Sequence, residues 1–158
     1  MAFIDSEFRE FLLNAKKNTY ASEEENGQSV ESLPGSTQHE YREGDFLYQD
    51  LYVGSAYFVG QETVLYQGTP IWSMSYAGGT SPALHRQEEV SAIYRFLRSA
   101  LRNVEAERPY RGPSLFHDES YVYADESYGN IDSFWGYEAI TNPDGVVYAL
   151  RYNGGFLR

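Results

Sequence analysis

Apolar side chains recur along this chain with two different periods. In FIDSEFREFLLNAKK, residues 3–17, Phe8, Phe11, Leu12 and Ala15 fall at i, i+3, i+4 and i+7, one face of an α-helix. Asp5 or Ser6 is placed to cap its first turn, and Lys16 and Lys17 suit the negative C-terminal end. A second helix is expected to start at Ser81-Pro82 and run through QEEVSAIYRFLRSALRNV. There Val90, Ile93, Leu97, Ala100, Leu101 and Val104 share a face, and Pro109 stops it. Elsewhere the period drops to two. From His39 to Tyr76 the chain is dense in Tyr, Phe and Val, and Trp72, Met74 and Tyr76 alternate with Ser73, Ser75 and Ala77. The large members of that alternation face a core. Gln67-Gly68-Thr69-Pro70 predicts a hairpin turn, and Asn142-Pro143-Asp144-Gly145 predicts a second one among the later strands YVYADE, SFWGYEAIT and VVYALRYNGGFL.

The two hairpins answer each other. GQETVLYQGTPIWSMSYAGG at 60–79 aligns without a gap to GYEAITNPDGVVYALRYNGG at 136–155, a shift of 76 residues (136 − 60). Gly60/Gly136, Glu62/Glu138, Tyr76/Tyr152, Gly78/Gly154 and Gly79/Gly155 are identical pairs, and Phe58/Phe134 and Tyr52/Tyr128 extend the register backwards. The helices match too, Phe8, Phe11, Leu12 and Ala15 against Ile93, Phe96, Leu97 and Ala100. The expected fold is therefore α+β: two tandem repeats, each one helix followed by antiparallel strands, sharing one core. One domain spans 1–158, internally duplicated at about 3–79 and 84–157. The first half is longer by the acidic, turn-rich stretch 21–37, within which residues 21–34 are expected to be the most mobile internal segment.

Composition narrows the function classes. At 158 residues with 42 % apolar side chains the chain can build a sizeable core, and its 15 Tyr, 9 Phe and 2 Trp favour sheet. The absence of Cys excludes a disulfide framework and a thiolate metal site. A net charge of −11, with Lys16 and Lys17 the sole lysines, argues against non-specific nucleic-acid binding, which needs basic side chains to neutralise phosphates. The acidic, Lys-poor balance fits a salt-rich cytoplasm and drift in a GC-rich genome equally. No apolar run approaches a membrane span, and MAFIDSEFRE is acidic rather than a signal peptide, so a cytoplasmic protein without membrane attachment is expected.

Few residues stand out as chemistry. Glu62 and Glu138 occupy matching positions. Meeting across a pseudo-twofold axis, they would form an acid/base pair; otherwise each accepts hydrogen bonds within its own half. His39, His85 and His117 have no ligand spacing, so no metal and no cofactor is expected. No nucleophile elbow or phosphate loop is present, and the paired glycines are expected to supply positive φ or a bulge. Arg111, in YRGP, is a guanidinium fixed at a turn, suited to gripping a carboxylate or phosphate or to tying down an acidic strand residue. Lys17 follows the first helix as Arg111 follows the second. A ligand site is expected to contain Arg111 or Lys17 with at least one of Tyr20, Tyr41, Tyr110 and Tyr123 as walls, Glu62 and Glu138 completing the candidates.

Several segments, FLLNAKKNTYA, EYREGDFLYQDLYVG, FVGQE, GTPIWSMSYAGG, PYRGP and FWGYE with VVYALRYNGG, resemble a domain of unknown function seen alone or as the C-terminal part of helix-turn-helix regulators. The resemblance covers nearly the whole chain. It implies no activity; by association it implies a ligand sensor or an oligomerisation unit. The expected function is a non-catalytic module that binds a small anionic ligand or a protein partner, a regulatory role following from that association alone. The alternative is a cofactor-independent hydrolase or isomerase using Glu, Tyr and Arg. An enzyme should show a pocket where an acid held above its usual pKa meets Arg or Tyr; a binding module should show an apolar pocket or patch without one.

Overall fold

The structure, a computed structural model, describes residues 2–19 and 33–158, with the side chains of the first helix from Asp5 onward. The expectations for Tyr20 and for most of 21–34 lie outside the described residues. In chain order the elements are α1 (Ala2–Asn18), β1 (Ser36–Glu43), β2 (Phe46–Gly54), β3 (Tyr57–Tyr66), β4 (Thr69–Thr80), α2 (Gln87–Leu101), β5 (Leu115–His117), β6 (Val122–Asn130), β7 (Ser133–Asn142) and β8 (Gly145–Phe156). All eight strands form one antiparallel sheet in the order β1-β2-β3-β4-β8-β7-β6-β5.

That sheet corrects the expected α+β class. The chain is largely β, with helices of 17 and 15 residues laid against eight strands, not two helix-plus-strand repeats. The physical reason is the β4–β8 seam, where Trp72 to Thr80 pairs with Tyr148 to Phe156 and fuses both sets of strands into one sheet. Each helix packs on the strands that follow it and also reaches the other set. Phe8 of α1 meets Phe156 of β8 at 4.8 Å, and the Tyr94 hydroxyl of α2 donates to the carbonyls of Ser55 and Ala56 in the β2–β3 turn.

Alternation assigns the two faces of the sheet. Tyr48, Asp50, Glu62, Val64, Trp72, Met74 and Tyr76 on one side of the seam, and Tyr123, Asp125, Glu138, Ile140, Tyr148, Leu150 and Tyr152 on the other, are buried under the helices. An aromatic column crosses this core: Phe8 lies 5.9 Å from Trp72, Trp72 stacks on Phe134 at 5.8 Å, and Phe134 on Tyr110 at 3.9 Å. Among the described residues the opposite face carries no helix, and Val59, Trp135 and Tyr137 are exposed there, with Tyr128 stacked on Trp135. No helix among the described residues is long and apolar enough to cross a membrane.

Local details differ from the sequence reading in three places. Residues 81–86 form a turn rather than helix, because the Leu84 amide donates to the Ser81 carbonyl; α2 starts at Gln87 with no side-chain cap. Gly54 pairs with Phe58, but Gly129 pairs with Phe134, so the second hairpin is one residue longer; Ser127, not Tyr128, takes the place of Tyr52. Gly78 and Gly154 serve close approach rather than a turn: a Cβ on either would fall 2.3 Å from a carbonyl oxygen across the β4–β8 seam.

Candidate functional site

The matching pairs read from the sequence build two related carboxyl clusters. Gly60 lies opposite Tyr76 and Gly136 opposite Tyr152 in their sheet registers. A Cβ at Gly60 would meet the Tyr76 ring at 2.4 Å, and one at Gly136 would meet the Tyr152 ring at 2.2 Å. Glycine therefore leaves the space in which each tyrosine lies across its neighbouring strand to reach an aspartate one strand further on. Tyr76 donates to Asp50 Oδ1 at 2.5 Å, and Tyr152 donates to Asp125 Oδ1 at 2.9 Å. Beside each aspartate a glutamate is its cross-strand partner, Glu62 for Asp50 and Glu138 for Asp125.

The two glutamates are not an acid/base pair. β4 and β8 separate their strands, so three strand spacings, about 14 Å, lie between them. Glu62 Oε2 accepts from Lys16 Nζ at 2.6 Å, and Glu62 Oε1 is buried without a hydrogen-bond partner among the described residues. Glu138 is more fully satisfied: Oε1 accepts from Arg111 at 2.6 Å and from Tyr148 at 2.8 Å, and Oε2 accepts from Tyr123 at 2.6 Å. Burial lowers the Lys16 pKa, with the Glu62 charge opposing it. Tyr123 and Tyr148 are held well above the usual phenol range, first by burial and then by the Glu138 charge.

The aspartates differ in what closes them. Asp125 is tied by Arg108, whose Nη2 lies 2.6 Å from Oδ2, and is walled off from solvent. Asp50 has no ion pair among the described residues, and it lines a cavity of about 670 Å³ between α2 and the β1–β4 side of the sheet. Tyr76 and Arg111, both buried, share the deep end with Asp50; the Arg111 guanidinium lies 5.6 Å from the Tyr76 ring centroid. Tyr52, Phe58 and Tyr94 supply aromatic walls. Arg98, half-buried, and Arg95, exposed, stand toward the rim. Burial, then the neighbouring Glu62 charge, pushes the Asp50 carboxyl up to about 7, against the opposing hydrogen bond from Tyr76. Burial and the Glu138 charge push Asp125 up to about 6.

These shifts have a sign. A carboxyl whose folded pKa exceeds its unfolded value, near 4, holds a proton that unfolding releases, so its stability contribution is lost as pH rises between the two values. Asp50→Asn, which keeps the acceptor for Tyr76 and removes the charge, is expected to raise the melting temperature at pH 8 and leave it nearly unchanged at pH 4. An equal effect at both pH values in thermal melts contradicts the assignment.

Of the residues singled out from sequence, the structure places Arg111 on the cavity, while Tyr110, Tyr123 and Glu138 pack behind it. The two helix junctions do meet, but through Lys16, which donates to the Tyr110 carbonyl as well as to Glu62; Lys17 is exposed. Tyr41 is half-buried on β1 and donates to Glu43. Asp50, Tyr52, Tyr76, Tyr94, Arg95 and Arg98 were not among the expected site residues. The available signal was the repeated Gly60–Tyr76 spacing, which marks a ring crossing a glycine. Among the described residues no group of three or more His, Asp or Glu side chains is arranged to hold a metal ion.

Fold and cavity together define a class: one antiparallel sheet backed on a single face by two helices, with an arginine- and tyrosine-lined cavity under the second. Residues 50–157 match a domain of unknown function (DUF5680), and the chain belongs to that family. The match begins at Asp50 itself and takes in every cavity residue named above. No curated protein and no solved structure matches the chain.

Proposed function

We propose that the cavity binds a small anionic ligand with a flat apolar body. The observation that carries this is its charge. In a chain of net charge −11, three arginines and one aspartate line the cavity among the described residues. Guanidinium groups match carboxylate and phosphate geometry, and in a partly buried site their hydrogen bonds are worth more than in water. Tyr52, Phe58 and Tyr94 offer ring faces for the body of the ligand, and about 670 Å³ suits a small metabolite. A sensing role beside a helix-turn-helix module belongs to the same proposal and rests on the family resemblance alone.

A panel of aromatic carboxylates and phosphates, read by thermal shift and calorimetry, tests it. At least one anion should raise the melting temperature while its uncharged amide or alcohol does not. Arg98→Ala, at the rim and outside the buried ion pairs, should weaken that binding by about tenfold or more, the loss of one hydrogen bond to a charged group. If no anion stabilises the protein, or if Arg95→Ala and Arg98→Ala both leave affinity unchanged, the proposal fails.

A further inference from the structure

The two aspartate–tyrosine pairs are built alike and finished differently. In both, a tyrosine crosses a glycine and donates to an aspartate whose cross-strand neighbour is a glutamate. Arg108 then neutralises Asp125 and closes that pair off, as a buried carboxylate requires. Asp50 is buried without such a cation among the described residues, and the space beside it is open cavity. Among the described residues Asp50 is also the single carboxylate on that cavity. A buried acid with no direct ion pair among the described residues, placed where a ligand can reach it, is poorly suited to holding the fold together and well suited to exchanging a proton.

We propose that Asp50 is a catalytic base that moves a proton on a bound aryl keto acid, interconverting its keto and enol forms. This rests on the cavity being an anion site, as proposed above. The ligand class follows from the lining. Arg95 and Arg98 take the carboxylate, the ring lies against Tyr52, Phe58 and Tyr94, and Arg111 faces the ketone oxygen beside the carboxylate and next to Asp50. In the step, an Asp50 oxygen takes a proton from the carbon next to the ketone. The C–H electron pair becomes the C=C bond, and the C=O π pair moves to oxygen beside the guanidinium. Return of the proton to that oxygen gives the enol, and return to carbon restores the ketone. No oxidant, metal or cofactor enters the balance. Tyr76 acts as a positioning residue, fixing the carboxylate through its hydrogen bond.

Asp50 is available to take a proton near neutral pH because burial has raised it to about 7. The charged and titratable groups around it are His39, its cross-strand partner on β1, Glu62 on β3, Tyr76 on β4, Lys16 on α1, and Arg111 with Arg95 and Arg98 across the cavity.

Phenylpyruvate in D2O is the probe, with loss of its methylene proton signal followed by NMR and its binding followed by calorimetry. The wild-type protein should accelerate exchange over buffer, with a rate that rises as pH passes through about 7. Asp50→Asn should lower that rate by about a hundredfold or more while still binding the probe, the usual size of a general-base contribution. Tyr76→Phe removes a hydrogen bond that favours the ionised carboxylate, so it should move the midpoint of the pH profile upward, which a merely structural loss would not do. Binding without accelerated exchange, or an Asp50→Asn protein that keeps the rate, overturns this inference and leaves the anion site standing. Failure of phenylpyruvate to bind also overturns it; failure of the whole anion panel overturns both.

Discussion

Glu138→Ala is expected to destabilise the protein by about 3–5 kcal/mol, the range for removing one partner of a buried ion pair. Glu138 is fully buried on β7 and accepts from Arg111, Tyr148 and Tyr123. Alanine leaves a buried guanidinium without its counter-charge and two buried hydroxyls without their acceptor, and each lost acceptor costs desolvation that burial cannot recover. Native domains are stable by roughly 5–15 kcal/mol, so the variant should unfold at markedly lower urea or fail to accumulate folded. Glu138→Gln keeps an oxygen for Arg111 and Tyr148 and should cost less. The effect should also reach the cavity, because Arg111 is held in place by Glu138. A urea midpoint for Glu138→Ala within about 1 kcal/mol of wild type would falsify this account of the cluster.

What was legible in the sequence was local. Trp72, Met74 and Tyr76 alternate because one face of β4 is buried and the other is not, and the i, i+3, i+4, i+7 set of α1 is buried as the period requires. Fold class was not legible, because it depends on whether two sets of strands pair with each other. β4 and β8 read alike whether they lie at the edges of separate sheets or at the centre of one. The β4–β8 register, with Tyr76 directly opposite Tyr152, is a long-range fact that no local period encodes. The candidate site divides along the same line. Arg111 was legible because a turn fixes it. Asp50 was not, since in FLYQDLYVG it sits at the same strand period as Tyr48 and Tyr52 and looks like a polar residue in a half-exposed strand. Its meaning appears only when Asp125 is seen closed by Arg108 and Asp50 is not. The two lysines part by one position: Lys16 follows Ala15 and Leu12 round the helix into the core, and Lys17 turns out to solvent.

That single position carries the second large effect. Lys16→Met is expected to cost about 3–5 kcal/mol, although it places an apolar side chain of similar length in an apolar surrounding. The loss comes from what stays behind. Glu62 is fully buried, its Oε1 already lacks a hydrogen-bond partner among the described residues, and its Oε2 has Lys16 as its ion-pair partner. The Tyr110 carbonyl loses a donor in the same change. A buried ion pair offsets the desolvation of its two charges without a large net gain, so removing both should cost less than removing one. Lys16→Met with Glu62→Leu should therefore recover at least about 1–2 kcal/mol relative to Lys16→Met alone, a coupling within the range measured for contacting residues. Removing the Glu62 charge also takes away one of the influences that raise Asp50, so the pH midpoint of Asp50 should move down when Glu62 is neutralised. Chemical denaturation of the two single variants and the double variant closes the cycle. If the double variant is as unstable as the sum of the two singles, the Lys16–Glu62 pair is not a coupled unit, and its geometry has no energetic meaning for the fold.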